Sequence, residues 1–313
     1  MPEFFCMAGK IFIIGSRSSK LALAQSDFVR AQLKALYPEL DIRIKAIKTT
    51  GDKISDSQLN KIGTKGLFTK EIEEALLAGE IDAAVHSAKD LPVDLPEGLK
   101  IASVPKRREC RDALVSPDKY TLKTLPANSK IGTSSLRRRA QALNLRKDLE
   151  VLNLRGNLDT RFAKLKAGLF DAIIVSMAGI ERLGIKLNLS AIPLDEFLPQ
   201  AGQGALAIQI RSRNSEAEGF VKRLNDDNSH ICIEAERSAL GALGGGCQAP
   251  IGVVAAMQNS GIFIKAGVFS LDGKKAVRDE ISGKRTDAKE LGRQLARRLL
   301  EKGAKEILES ILR

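Results

Sequence analysis

The sequence predicts a mixed α/β protein: two α/β domains followed by a smaller C-terminal α+β domain. Three observations carry this. Through about the first two hundred residues, short apolar runs alternate with amphipathic stretches, the pattern of strand–helix units. Two segments, 105–111 and 199–204, read as crossings between domains, so that the chain leaves a first α/β domain, builds a second and partly returns. After about residue 225 the pattern changes to a long helix, a glycine turn, short strands and a charged terminal helix. The expected division is 9–105 with 206–224, then 106–205, then 225–313. A chain of 313 residues, 43% apolar and 28% charged, suffices for two or three packed domains.

Residues 11–14 read as a buried strand, and 21–37 as a helix closed by Pro38. Residues 41–49 alternate apolar and charged positions and read as a strand. Residues 50–65, rich in Gly, Asp, Ser and Lys, have no period and read as a loop that can act as a lid. A helix over 68–77 ends before Gly79, and a strand over 81–85 runs into His86-Ser87-Ala88-Lys89-Asp90. The second series has strands over 113–115, 130–131, 151–154 and 172–175, with helices over 136–145, 158–167 and 178–183. The last third has a helix over 232–243, two short strands and a helix over 287–312.

Lys and Arg number 50 against 38 Asp and Glu, a net charge of +12, which suits an acidic ligand or partner. Aromatics are 4% with no Trp, which argues against base stacking on an aromatic platform. Cys6, Cys110, Cys232 and Cys247 are too scattered for a disulfide framework, and with only His86 and His230 besides, no structural metal site is expected. Residues 1–10 lack the features of a secretory signal, and no apolar run is long enough to span a membrane. A reducing cytoplasm is the expected location.

The most informative feature is where the arginines sit. Gly132-Thr133-Ser134-Ser135-Leu136-Arg137-Arg138-Arg139 follows a strand and opens a helix, with Ser134 or Ser135 as N-cap. Arginine in a first turn is unfavourable, because that end of the helix already carries partial positive charge. The design recurs at Arg155-Gly156-Asn157-Leu158-Asp159-Thr160-Arg161 and at Gly15-Ser16-Arg17-Ser18-Ser19-Lys20, with Ser19 as a cap. Helix-start N–H groups and guanidiniums together make anion sites, and in open α/β sheets such turns line the crevice at the carboxyl ends of the strands. Any one of these arginines can instead pair with an acid of its own domain.

Lys89 and Asp90 end a buried strand and should face the same kind of crevice. A carboxylate there can exchange a proton or steady a developing cation, although an ordinary Lys–Asp pair would look the same in the sequence. Leu243-Gly244-Gly245-Gly246-Cys247-Gln248-Ala249-Pro250 makes a tight exposed turn, where a thiol is available as nucleophile or anchor or is merely a small filler.

Together these segments resemble porphobilinogen deaminase, the hydroxymethylbilane synthase family, over nearly the whole chain. The matching runs are GSRSSKLALAQ, KGLFTKEIE, DAAVHSAKDLP, GTSSLRRRAQ, LRGNLDTR, GQGALAI and GGGCQAPIG, in the family's order. The chain departs from it at Glu109-Cys110-Arg111-Asp112, where the family often has Asp-Pro before the Arg, and at Gly244. The resemblance implies two periplasmic-binding-protein-like α/β domains with a central cleft and a third domain carrying a dipyrromethane cofactor on Cys247. It implies a monomeric transferase of tetrapyrrole (heme or chlorophyll) biosynthesis, joining four porphobilinogen molecules and releasing hydroxymethylbilane. It implies Asp90, Arg17 and Lys89 as catalytic residues. Cofactor binding would fall to Lys89, Asp90, Thr133, Ser135, Arg137, Arg138 and Arg161, and substrate binding to Arg17, Ser19, Arg155 and Arg161.

Two other classes compete. A solute-binding protein for an acidic ligand would share two lobes and an anion cleft, but would need no Cys247 and would normally carry an export signal. A nucleic-acid binder would account for the charge and the Arg137–Arg139 run, but not for arginines placed at helix starts or for the low aromatic content.

Overall fold

The computed structural model describes residues 9–53, 68–246, 249–259 and 261–312. The chain divides into two compact units, Met1–Arg107 with Ala205–His230, and Arg108–Gly204 with Ile231–Arg313.

The first unit begins with β1 (Ile11–Arg17), α1 (Lys20–Leu36), β2 (Asp41–Ile47), α2 (Thr50–Lys53), α3 (Lys70–Leu77), β3 (Ala83–Ser87) and β4 (Leu99–Ser103). The second contributes β5 (Asp112–Val115), β6 (Lys130–Gly132), α4 (Leu136–Leu145), β7 (Glu150–Leu152), α5 (Leu158–Lys166), β8 (Ala172–Ser176), α6 (Met177–Arg182) and β9 (Leu189–Ala191). The chain then returns to the first unit for β10 (Leu206–Arg211) and α7 (Ser215–Lys222). The helix α8 (Asp227–Ala242) starts there and ends in the second unit. It leads to β11 (Ile251–Gln258), β12 (Gly261–Phe269), β13 (Ala276–Lys284), α9 (Ala288–Leu299) and α10 (Lys305–Leu312).

The two five-stranded sheets share one plan. The first has the order β2-β1-β3-β10-β4 and the second β7-β6-β8-β5-β9. In each, four strands run in the same direction and the remaining one is inserted antiparallel between the last two. The inserted strand is always the first one made after a crossing: β5 after the chain leaves the first unit, β10 after it returns. These are two α/β halves of the same plan, followed by a smaller three-stranded antiparallel sheet, β11-β12-β13.

Helices pack on both faces of each large sheet, so the central strands are mostly apolar, while the edge strand β2 alternates apolar and charged positions. On the first sheet Phe12, Ile14, Val85 and Ile208 pack with Val29 and Leu33 of α1 and Phe220 of α7. Ala84 faces the other way, against Ile72 and Leu76 of α3. On the second, Leu114 and Ile174 pack with Ala142, while Ala113, Val115, Ile173 and Val175 pack with Leu165 and Ile180. In the third sheet Ile262, Ile264 and Val268 are buried, and α9 covers the sheet with Leu291, Leu295 and Leu299.

Three sequence expectations need correction. Residues 50–53 form a helical turn, because Glu71 Oε1 accepts from the Thr50 backbone N–H at 2.6 Å; the rest of the expected lid, 54–65, lies outside the described residues. The C-terminal sheet has three strands where two were expected. The helix expected over 287–312 breaks at Gly303, whose φ of 103° is outside the helical range. The elements β4, β10 and α7 were not predicted individually, although a return of the chain over 206–224 was expected; strand pairing with partners far away in sequence leaves no local signal.

The two crossing segments meet inside the second unit, where the Arg108 N–H donates to the Gly204 carbonyl at 3.2 Å. Gly204 has φ of +88°, and a Cβ there would lie 2.6 Å from the Arg108 carbonyl oxygen. Gly204→Ala is therefore expected to destabilise the protein by about 1–3 kcal/mol through backbone strain alone, with the clash in addition. Denaturant unfolding of the variant checks this.

Candidate active site

In the first unit the candidate residues gather at the carboxyl ends of β1 and β3, which are parallel neighbours with Gly15 opposite Ala84. Arg17 is the last residue of β1, and its guanidinium lies over the Phe68 ring, 4.2 Å from the centroid, a cation–π stack that restricts its orientation. Ser19 caps α1, its Oγ accepting from the Ala22 N–H at 3.3 Å. Beyond β3, Lys89 and Asp90 sit in a single 3₁₀ turn, Lys89 half-buried and Asp90 exposed. The two do not pair with each other, and Asp90 accepts no hydrogen bond among the described residues.

Behind this edge lies a buried polar layer that the sequence did not reveal. Gln209 on β10 donates to Glu73 Oε1 at 3.0 Å, and the Thr69 hydroxyl donates to Glu73 Oε2 at 3.1 Å. His86, 5% exposed, occupies the same interior. Burial lowers its pKa to about 4, and the nearby positive Arg17 adds to this against a hydrogen bond to Gln209. The imidazole is neutral at pH 7.

In the second unit Thr133 follows β6 and Arg155 follows β7, the two strands being parallel neighbours with Gly132 opposite Leu152. Ser135 is the N-cap of α4, its Oγ accepting from the Arg138 N–H at 3.4 Å. Thr133 is buried, and its Oγ1 accepts from the Ser135 N–H at 3.2 Å. Asn157 caps α5, and Arg161 folds back to donate from Nε to the Gly156 carbonyl at 2.8 Å. Arg155 and Arg161 are both half-buried.

Arg137 and Arg138 pair with an acid of their own unit. They are 3% and 7% exposed and share Asp112, itself fully buried. Arg137 Nη1 donates to Asp112 Oδ2 at 2.8 Å and to the Leu198 carbonyl at 2.6 Å. Arg138 donates to Asp112 Oδ1 from Nε at 3.0 Å and from Nη2 at 2.7 Å. Burial alone would raise the Asp112 pKa, but the two guanidiniums outweigh it and hold the carboxyl below its usual range. This neighbour explains how α4 tolerates arginines in its first turn.

Cys247 lies outside the described residues. Leading to it, α8 closes with the Gly245 N–H donating to the Leu240 carbonyl at 3.1 Å and Gly244 at φ +65°. Cys232, one turn into α8, is buried. Among the described residues no cluster of three or more His, Cys, Asp or Glu could hold a metal ion. No described helix is long and apolar enough to cross a membrane.

Each of the two inserted-strand α/β halves carries cations and hydroxyls at the carboxyl ends of its parallel strands. Residues 12–219 match the family described as porphobilinogen deaminase, dipyromethane cofactor binding domain, and 230–301 match its C-terminal domain. The chain belongs to the porphobilinogen deaminase family. It is 47% identical to the porphobilinogen deaminase of Chloroherpeton thalassium, covering 96% of this chain and 97% of that one. It is 45% identical to that of Syntrophobacter fumaroxidans, covering 98% and 100%. Among solved structures, the BenM effector binding domain with its effector benzoate has a TM-score of 0.44 at 15% identity, covering 69% of this chain and 90% of that one.

The buried His86 has a consequence for stability. Because its pKa is lowered on folding, the unfolded chain takes up the proton first. Its contribution is complete above pH 6.5 and is lost as pH falls towards about 4. The expected loss is about 3 kcal/mol, and His86→Gln should flatten that part of the stability profile, measured as urea midpoints across the window.

Proposed function

We propose that the chain is a hydroxymethylbilane synthase, which condenses four porphobilinogen molecules head to tail onto a covalently bound dipyrromethane and releases hydroxymethylbilane by hydrolysis. The observation that carries this reading is Asp90, an exposed carboxylate that accepts no hydrogen bond among the described residues, in the turn that follows β3.

The second unit fits a polyacidic group. Its Arg137–Arg138–Asp112 cluster has two positive charges against one negative, and the buried Arg137 Nε has no hydrogen-bond partner among the described residues. Thr133, Ser135, Arg137, Arg138 and Arg161, with Lys89 and Asp90, would hold the dipyrromethane, which Cys247 would carry through a thioether. When bound, this group supplies the pyrrole end at which the chain is extended.

The protein's own groups then have distinct tasks. Porphobilinogen brings an acetate and a propionate, and Arg17, Ser19, Arg155 and Arg161 hold them, guanidinium forks being suited to carboxylates. Asp90 accepts from the pyrrole N–H of the substrate. As ammonia leaves the aminomethyl carbon, positive charge develops on that ring, and the fixed Asp90 carboxylate stabilises it. Lys89, next in the chain, orients ligand carboxylates. Arg17 neutralises substrate charge as the bond to ammonia breaks.

The three sheets are read as three domains, the last carrying Cys247. The scattered cysteines fit a reducing cytoplasm, or an organelle stroma, and the enzyme is read as a monomer. A solute-binding role has no use for Cys247.

Intact-protein mass spectrometry should show a dipyrrole adduct that disappears in Cys247→Ser along with activity; an unmodified mass in an active preparation overturns the proposal. Arg17→Ala should lower turnover about a hundredfold or more while leaving the adduct in place. Normal turnover in that variant would remove Arg17 from the substrate clamp.

A further inference from the structure

Asp112 is the first residue of β5, the inserted antiparallel strand, and stands opposite Ser176 at the carboxyl end of β8. It therefore lies at the same end of the sheet as Thr133 and Arg155, yet with no exposed surface to offer a ligand. Four side-chain donor contacts converge on it: Arg137 Nη1 on Oδ2, and Arg138 Nε, Arg138 Nη2 and Gln203 Nε2 on Oδ1, the last at 2.9 Å. Gln203 also donates to the Cys110 carbonyl at 2.8 Å, so the same carboxylate is tied to both crossing segments. Arg138 Nη1 reaches the Ile174 carbonyl at 3.1 Å. Arg137 is further held by the Leu198 carbonyl and by the Phe197 ring, 5.8 Å from its guanidinium carbon.

Such a cluster is a costly way to stabilise a fold. A buried pair with a second buried cation leaves one charge without a counter-charge in a medium that screens poorly. That arrangement is reasonable where an anion supplies the balance.

We infer that Asp112 is the positioning residue of the cofactor half-site: it locks Arg137 and Arg138 in place at the carboxyl end of the second sheet while leaving one positive charge unbalanced for a ligand carboxylate. This rests on the function proposed above. Asp112 touches no ligand itself; it acts through the two arginines, and Gln203 holds it from the opposite side.

The test compares Asp112→Asn, Gln203→Ala and, as a stability control, Glu236→Gln. Glu236 is another fully buried carboxylate of this unit, which accepts from the backbone N–H groups of Gly202 at 2.7 Å and Ala255 at 2.8 Å. Each full-length protein is purified from cells, and two things are measured: the fraction carrying the dipyrrole mass and the thermal midpoint. Asp112→Asn is expected to lower the loaded fraction about tenfold or more, beyond what its stability loss produces in Glu236→Gln. If Asp112→Asn does not fold, Gln203→Ala decides, since it leaves the carboxylate and both arginines in place. It should fold and lower the loaded fraction severalfold, with a raised KM in the loaded portion. Loading that follows the thermal midpoint alike in all variants, or wild-type loading in a folded Asp112→Asn or Gln203→Ala, overturns the inference. A wild-type protein without the dipyrrole mass would instead overturn the proposed function.

Discussion

Positive charge at the start of a helix has to be held there against the helix's own field. The second unit does this with a single buried acid. Without Asp112, two guanidiniums would sit in a low-dielectric interior with only backbone carbonyls, and the first turn of α4 would be pushed apart. With it, the arginines become rigid parts of the sheet edge. The first unit meets the same demand differently: Arg17 belongs to the strand and is stacked on Phe68, while the helix start itself is capped by a neutral hydroxyl. Both arrangements fix the cation before any ligand arrives, which spares the entropy of ordering a long side chain on binding.

Charge and burial are divided between residues in a consistent way. Asp112 is buried, fully hydrogen-bonded and structural in its contacts, whereas Asp90 is exposed and accepts no hydrogen bond among the described residues. The first can shape a field, and the second can meet a reacting group. His86 stays neutral next to Arg17, so the interior behind the strand ends gains no further positive charge at neutral pH. The polar layer of Thr69, Glu73 and Gln209 lies in that interior, fixed by side chains from α3 and β10 and the turn before α3.

Much of this was legible in the sequence where the signal is local. Hydroxyls just ahead of amphipathic runs marked the caps, and Ser19 and Ser135 are caps. Arginines breaking the dipole rule marked the turns of interest. What stayed hidden depends on partners distant in sequence. An aspartate opening a four-residue apolar strand reads as an ordinary boundary, and its pairing with side chains 25 and 26 positions later leaves no periodic trace. Likewise Gln209 reads as a polar interruption in an apolar run until Glu73, 136 positions away, is seen beside it. The break at Gly303 was missed because a lone glycine in a strongly amphipathic helix carries only a modest penalty.

The antiparallel insertion of β10 bears on how the protein is made. Among the described residues of the first sheet β4 pairs with no strand except β10, and β3 has β10 as its second neighbour. Until the ribosome has delivered residues 206–211, the N-terminal sheet has one open edge on β3 and a stranded β4. About a hundred residues of the second unit emerge in the interval. The edge of β3 is thus completed only by a strand made after the whole intervening segment, so the pairing that closes this sheet is among the longest-range contacts of the chain.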